Sequence, residues 1–183
     1  SAAGATVSVS GGEIVVADDS HKAIVFPADA TVTGVDDVKY IVATIGDGGY
    51  YTLQEAINAA KAGQTITLIR DIEAKDIITI DKAITLDGNG KTLKSTAGRA
   101  INVETDGKVV ISNLTINAGE RAINIINKAA TVELNKVTAT ATNNAVMIAT
   151  SAGAVKLTIN SSKLTGLAVV NVNHFFVNEE QQV

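Results

Sequence analysis

Cysteine is absent from this chain, so neither a disulfide nor a thiolate metal site can form. Aromatic residues make up only 3% of it, as three tyrosines and three phenylalanines. Sugar-binding surfaces that stack rings on aromatic platforms therefore have little to draw on. No apolar run approaches the length of about 18 residues that marks a membrane-spanning helix. Charged residues are sparse, and the formal net charge is −4 with no basic patch, which argues against a nucleic-acid partner. Only two histidines occur, His21 and His174, and His21 sits in the polar link Asp18-Asp-Ser-His-Lys22 without metal-ligand spacing. Ser1-Ala-Ala-Gly-Ala5 has neither the charged nor the apolar region of a signal peptide. It fits a processed end or a boundary inside a longer chain.

What the chain does have is aliphatic residues that repeat. The hydrophobic fraction is 46% over 183 residues, a combination with few aromatics that suits an interior of aliphatic ladders. Leu86, Ile111, Leu134 and Ile159 end similar short runs and follow one another at steps of 25, 23 and 25 residues. Ala100, Ala122, Ala145 and Ala168 recur at steps of 22, 23 and 23. Between these families lie Leu114-Thr-Ile116, Val137-Thr-Ala139 and Leu164-Thr165. A fixed period in this range marks a repeat architecture. Each unit alternates apolar and polar residues as strands do, and Gly, Asn, Asp and Ser separate the runs as turn formers. Leucine-rich and ankyrin repeats are excluded, because no unit holds ten residues of helical pattern. The expected fold is all-β: a right-handed, single-stranded parallel β-helix of about five coils over residues 64–173. Ala100, Ala122, Ala145 and Ala168 are expected at equivalent positions on successive coils.

Ahead of the array, residues 1–51 read as a β-rich segment of hairpins. Ala5-Thr-Val-Ser-Val9 and Glu13-Ile-Val-Val16 flank Gly11-Gly12, Ala23–Phe26 and Ala30–Thr33 flank Pro27-Ala-Asp29, and Lys39–Ile45 is a strand closed by Gly46-Asp-Gly-Gly49. Thr52-Leu-Gln-Glu55 is a capping box. A helix is expected from Leu53 to about Lys61, with Gly63 as its C′ stop, in a 52–63 segment that covers the N-terminal mouth of the solenoid. Gln64–Ile69 and Asp76–Ile80 are the expected strands of the first coil. The repeat fails after Val172, and residues 174–183 form a tail that begins His174-Phe-Phe-Val177.

The stretch from Thr52 to Leu68, followed by Ile84-Thr-Leu-Asp-Gly-Asn-Gly-Lys-Thr-Leu93, resembles the opening of pectate-lyase-like right-handed β-helices, closest to the non-catalytic versions of bacterial cell-surface proteins. The resemblance spans residues 40–173. It implies a secreted or cell-surface location, and it carries fold rather than activity.

The chemistry of that fold is not reproduced. Polygalacturonase-like hydrolases carry an acidic cluster, Gly-His-Gly and Arg-Ile-Lys, and none is present. The array offers Asp81, Asp87, Glu104, Asp106, Glu120 and Glu133, with no acidic column for paired-carboxyl hydrolysis or calcium. Arg99 and Arg121 share a motif one coil apart and could grip an anionic sugar, or else form a solvated corner with Glu104 or Glu120. Asp87-Gly-Asn-Gly90 departs from a calcium loop at Lys91 and reads as a turn. Asn135 and Asn160 are expected to form an internal ladder, and Asn113-Leu-Thr and Asn160-Ser-Ser match the glycosylation pattern. The expected function is a structural or adhesive subunit without catalysis or cofactor. It would associate with itself, by strand exchange or end-to-end stacking that can propagate into a fibre, or with other surface proteins, and Thr6, Val7, Ser8, Val9, Phe175 and Phe176 are the candidate contact residues. The alternatives are a polysaccharide-active enzyme or a carbohydrate-binding module.

Overall fold

The computed structural model describes residues 40–172 and two short strands before them, β1 (Val7–Ser8) and β2 (Val32–Thr33). β1 and β2 pair in parallel. The rest of the hairpin pattern read in residues 1–39, and the tail 174–183, lie outside the described residues.

The solenoid opens with an antiparallel pair, β3 (Ala43–Ile45) and β4 (Gly48–Tyr50), and helix α1 (Leu53–Ala59). Five coils of three strands follow. The first holds β5 (Thr65–Leu68), β6 (Ile72–Ala74) and β7 (Ile78–Ile80). The second holds β8 (Thr85–Asp87), β9 (Thr92–Ser95) and β10 (Arg99–Val103). The third holds β11 (Lys108–Ser112), β12 (Thr115–Asn117) and β13 (Arg121–Ile125). β14 (Thr131–Asn135), β15 (Thr138–Thr140) and β16 (Asn144–Ile148) make the fourth. β17 (Lys156–Asn160), β18 (Lys163–Thr165) and β19 (Ala168–Val172) make the fifth.

Like strands stack into three parallel walls. The first runs β5-β8-β11-β14-β17 and is extended at its start by β3 and β4; the second runs β6-β9-β12-β15-β18; the third runs β7-β10-β13-β16-β19. The fold is therefore the parallel β-helix that the period predicts, and its right-handed sense is the one parallel crossovers take. Within each strand alternate residues turn inward. Leu86, Ile111 and Leu134 are in register and fully buried, with Ile66 below and Ile159 above. The steps of 25 residues have separate local causes. The corner after β8 holds Gly88-Asn-Gly-Lys91, where later coils use two residues, and a long loop, 149–155, precedes β17.

The corner from the first wall to the second carries a left-handed residue in each later coil: Asn113 at φ 50°, Lys136 at 55° and Ser161 at 48°. One such residue turns the chain from one wall to the next in minimal length.

α1 is where the capping box places it. Thr52 Oγ1 accepts from Glu55 N–H at 3.1 Å, and Glu55 Oε2 accepts from Thr52 N–H at 3.0 Å. Leu53, Ala56 and Ile57 are buried, and α1 packs on β3, β4, β5 and β7, so it does cover the mouth. It ends at Ala59, earlier than Lys61, because Ala60 is already extended at φ −64° and ψ 141°. Gly63 is not a helix stop. It turns at φ +84°, and its N–H donates to the Ala83 carbonyl of the next coil at 2.7 Å.

Four further expectations change. β6 is a strand of the first coil that the sequence reading passes over, because Ile72-Glu-Ala74 has too few apolar residues to show alternation. Ala100, Ala122 and Ala145 stack, but Ala168 pairs with Asn144, which sets Val169 against Ala145. The loop before β17 is two residues longer than the one before β14, and the corner before β19 gives one back, holding Gly166 and Leu167 where the corner before β16 holds three residues, so the register slips by one. Leu164 likewise aligns with Ala139 and Ile116 rather than with Val137 and Leu114. The asparagine ladder of Asn135 and Asn160 forms, Nδ2 to Oδ1 at 2.8 Å, but it is external. Leu134 points inward, so its neighbour Asn135 points out.

Candidate functional site

The third wall carries the two arginines. Before each of its strands a corner carbonyl accepts from the next coil: Gly98 O from Glu120 N–H (2.6 Å) and Arg121 N–H (3.1 Å), then Glu120 O from Asn143 and Asn144 N–H (both 3.1 Å). This repeated corner fixes Arg99 against Arg121. Gly98 adopts φ +81°, a conformation that favours glycine.

The arginines do not face an open ligand position as a free pair. Glu120, at the corner between them, takes both: Oε2 lies 3.6 Å from Arg99 Nε and Oε1 3.4 Å from Arg121 Nη2. Of the two partners expected for the corner, Glu120 is the one used. All three side chains are partly exposed, so each contact contributes little to stability, about 0–1 kcal/mol. One carboxylate bridging two guanidiniums also leaves less positive charge for an anionic sugar.

Other charges on the outer surface are paired from coil to coil in the same way. Lys108 Nζ lies 2.8 Å from Glu133, Lys128 3.5 Å from Asp106 and Lys94 3.5 Å from Glu73. The Asp106 carboxyl is held below its usual range, first because it accepts from the Ala129 N–H and then because Lys128 is near. Hydrogen bonds from Lys108 and Asn135 lower Glu133 likewise. Neither group is pushed towards the neutral form that a general acid needs near neutral pH.

Asp87-Gly-Asn-Gly90 is a turn. Asp87 Oδ1 accepts from Asn89 N–H at 3.0 Å and from Asn113 Nδ2 at 3.1 Å, which closes an Asx turn and ties it to the next coil. Among the described residues no group of three or more His, Asp or Glu is placed to hold a metal ion, and no helix is long and apolar enough to cross a membrane. Asn113 and Asn160, the glycosylation-pattern residues, are exposed on the first wall's corner and edge.

Of the candidate association residues, Val7 and Ser8 pair with Val32 and Thr33. Thr6, Val9, Phe175 and Phe176, with both histidines, lie outside the described residues.

Two features escape the sequence reading. Gln54 reaches from α1 to the edge strand of the third wall, where its Oε1 accepts from Thr79 N–H at 2.8 Å and its Nε2 donates to Thr79 O at 3.1 Å. A side-chain amide thus satisfies main-chain groups that a missing coil would have paired. The second is a part-buried contact on the outer side of the third wall, Asn124 Nδ2 to Asn102 Oδ1 at 3.2 Å. Its signal was available in the doubled Arg-Ala-Ile-Asn at 99–102 and 121–124. Comparison with known proteins finds no matching family model, no matching curated protein and no matching solved structure.

Proposed function

We propose that this chain is a non-catalytic structural module of a secreted or cell-surface protein, and that it associates with a second copy through the C-terminal end of its solenoid. The observation that carries this reading is the difference between the two ends. At the N-terminal end α1, Gln54 and the β3–β4 pair close the core and occupy strand edges. At the other end the inward ladder is exposed: Ile159 by 40%, Val170 by 38% and Val172 by 57%, whereas Leu134 and Val146 one coil below are at 0%. Apolar side chains and strand edges together favour pairing with further β-structure. Head-to-tail stacking would have to displace α1. Tail-to-tail contact meets no such obstacle, and it closes as a two-fold dimer instead of growing into a fibre. The paired state of Arg99 and Arg121 supports the non-catalytic part.

Sedimentation over a concentration series tests the association, with negative-stain microscopy to show the contact. Reversible dimers that Val170→Asp abolishes are expected. A monomer at every concentration sinks the association. Release of unsaturated products or reducing ends from pectin with calcium, lost in Arg121→Ala, sinks the non-catalytic reading.

A further inference from the structure

The fifth coil is joined to the solenoid differently from the four beneath it. Its inward residues Ile159, Val170 and Val172 are exposed and Leu157 and Leu164 half-buried, whereas Val132, Leu134, Ala139 and Val146 of the fourth coil are fully buried. Ion pairs join each lower coil to the next: Lys94 to Glu73, Arg99 to Glu120 and Lys108 to Glu133. The charged residues of the fifth coil are Lys156 and Lys163, and among the described residues no ion pair ties it to the fourth. The loop leading into it, 149–155, has seven residues, where those into the third and fourth coils, 104–107 and 126–130, have four and five. The first part of that loop is anchored below. Ser151 Oγ accepts from Asn127 N–H at 3.4 Å, Ala152 is buried, and Gly153 N–H donates to Lys128 O at 3.1 Å. Ala154 and Val155 lie between this anchor and β17.

We propose that the fifth coil is a strap: it opens as one unit about Ala154 and Val155 while the other four coils stay folded, and closed it covers the upper edge of the fourth. A solenoid couples each coil only to its neighbours, so opening can stop at one junction. The bonds across that junction run both ways. Lys156, Lys163 and Ala168 N–H donate to the Ala130, Val137 and Asn143 carbonyls at 3.0, 2.8 and 2.9 Å. In return Lys136 N–H donates to Asn160 O at 2.9 Å, Ala141 N–H to Thr165 O at 3.0 Å and Val137 N–H to Ser162 Oγ at 3.0 Å. Thr131, Thr138 and Asn144 N–H point the other way, to the Gly107, Leu114 and Glu120 carbonyls. Opening therefore frees the amides of Lys136, Val137 and Ala141 and leaves Thr131, Thr138 and Asn144 bonded. It also bares the apolar ladder and strand edges of the fourth coil, which then accept further β-structure. The strap does not rest on tail-to-tail association, which uses the closed coil.

Native-state hydrogen exchange of the full chain, followed residue by residue by NMR at low urea, tests the strap. Lys156, Lys163 and Ala168 should share one urea dependence with Lys136, Val137 and Ala141. All of them should exchange at least about tenfold faster than Thr131, Thr138 and Asn144, so that the adjacent amides of Val137 and Thr138 part company. Exchange that slows step by step from Val172 towards Lys156 is fraying from the end and overturns the proposal. So does a Val137 amide as slow as that of Thr138. A staple gives a second reading. Thr140 and Thr165 are exposed register partners on β15 and β18, and the chain has no cysteine of its own. In Thr140→Cys/Thr165→Cys the oxidised form should slow the amides of the opening group at least about tenfold, and reduction should restore their rates. Rates that oxidation leaves unchanged overturn the strap.

Discussion

Lys136 shows how the fold constrains single residues. It adopts φ 55° at the same corner where Asn113 adopts φ 50° one coil earlier. Asparagine tolerates the left-handed region, and lysine does so less readily. Lys136→Asn is therefore expected to stabilise the chain by about 0.5–1 kcal/mol, and Asn113→Val to destabilise it by at least about 1 kcal/mol, both read from urea midpoints. Ionisation at this scale has a definite sign. Asp106 and Glu133 both have carboxyls lowered in the folded chain. Their contribution is complete above the unfolded value of about 4 and disappears as pH falls through the folded value. The urea midpoint should stay level from neutral pH to about 5 and drop below about 4. The double variant Asp106→Asn/Glu133→Gln should flatten that drop. A variant as acid-sensitive as the parent would show that other carboxylates carry it.

At the scale of elements, α1 acts through two different contacts. Thr52 caps it, and Thr52→Ala should cost about 1 kcal/mol. Gln54 ties it to β7 by two hydrogen bonds to Thr79, part-buried. Gln54→Ala leaves the Thr79 N–H and C=O without partners and should cost about 1–3 kcal/mol, with faster hydrogen exchange at the Thr79 amide. An unchanged exchange rate there would remove the clamp from the account. These elements also show what a sequence discloses. The capping box was legible because its two residues lie three apart in one helix turn. Leu86, Ile111 and Leu134 were legible because alternation and period agree. Gln54 was not, because its partner lies 25 positions away and is main chain, which leaves no side-chain signal. The slip at Ala168 was not either. An apolar residue fits the motif wherever it falls, and the lengths of the 149–155 loop and the Gly166-Leu167 corner together set the register. The arginine pair was visible as a stack, but the choice of Glu120 over Glu104 rests on where the corner turns.

A solenoid couples each coil only to its neighbours, so the same substitution costs different amounts along it. Ile123 and Val170 occupy one inward column, with Ile101 below Ile123 and Val146 between Ile123 and Val170. Ile123 is 0% exposed with a coil on either side, whereas Val170 is 38% exposed with a coil on one side. Truncating the first leaves a cavity that two coils must share, and truncating the second trims a surface already in contact with water. Ile123→Ala should therefore cost about 2–5 kcal/mol, and Val170→Ala well under about 1.5 kcal/mol. If the C-terminal end is occupied by a second copy, the second figure should rise with protein concentration, because dissociation then accompanies loss of the last coil. Denaturant midpoints at two concentrations about a hundredfold apart separate the cases. A Val170→Ala cost that is small and independent of concentration means a solenoid that frays at its open end. A cost that grows with concentration means an end completed by a partner.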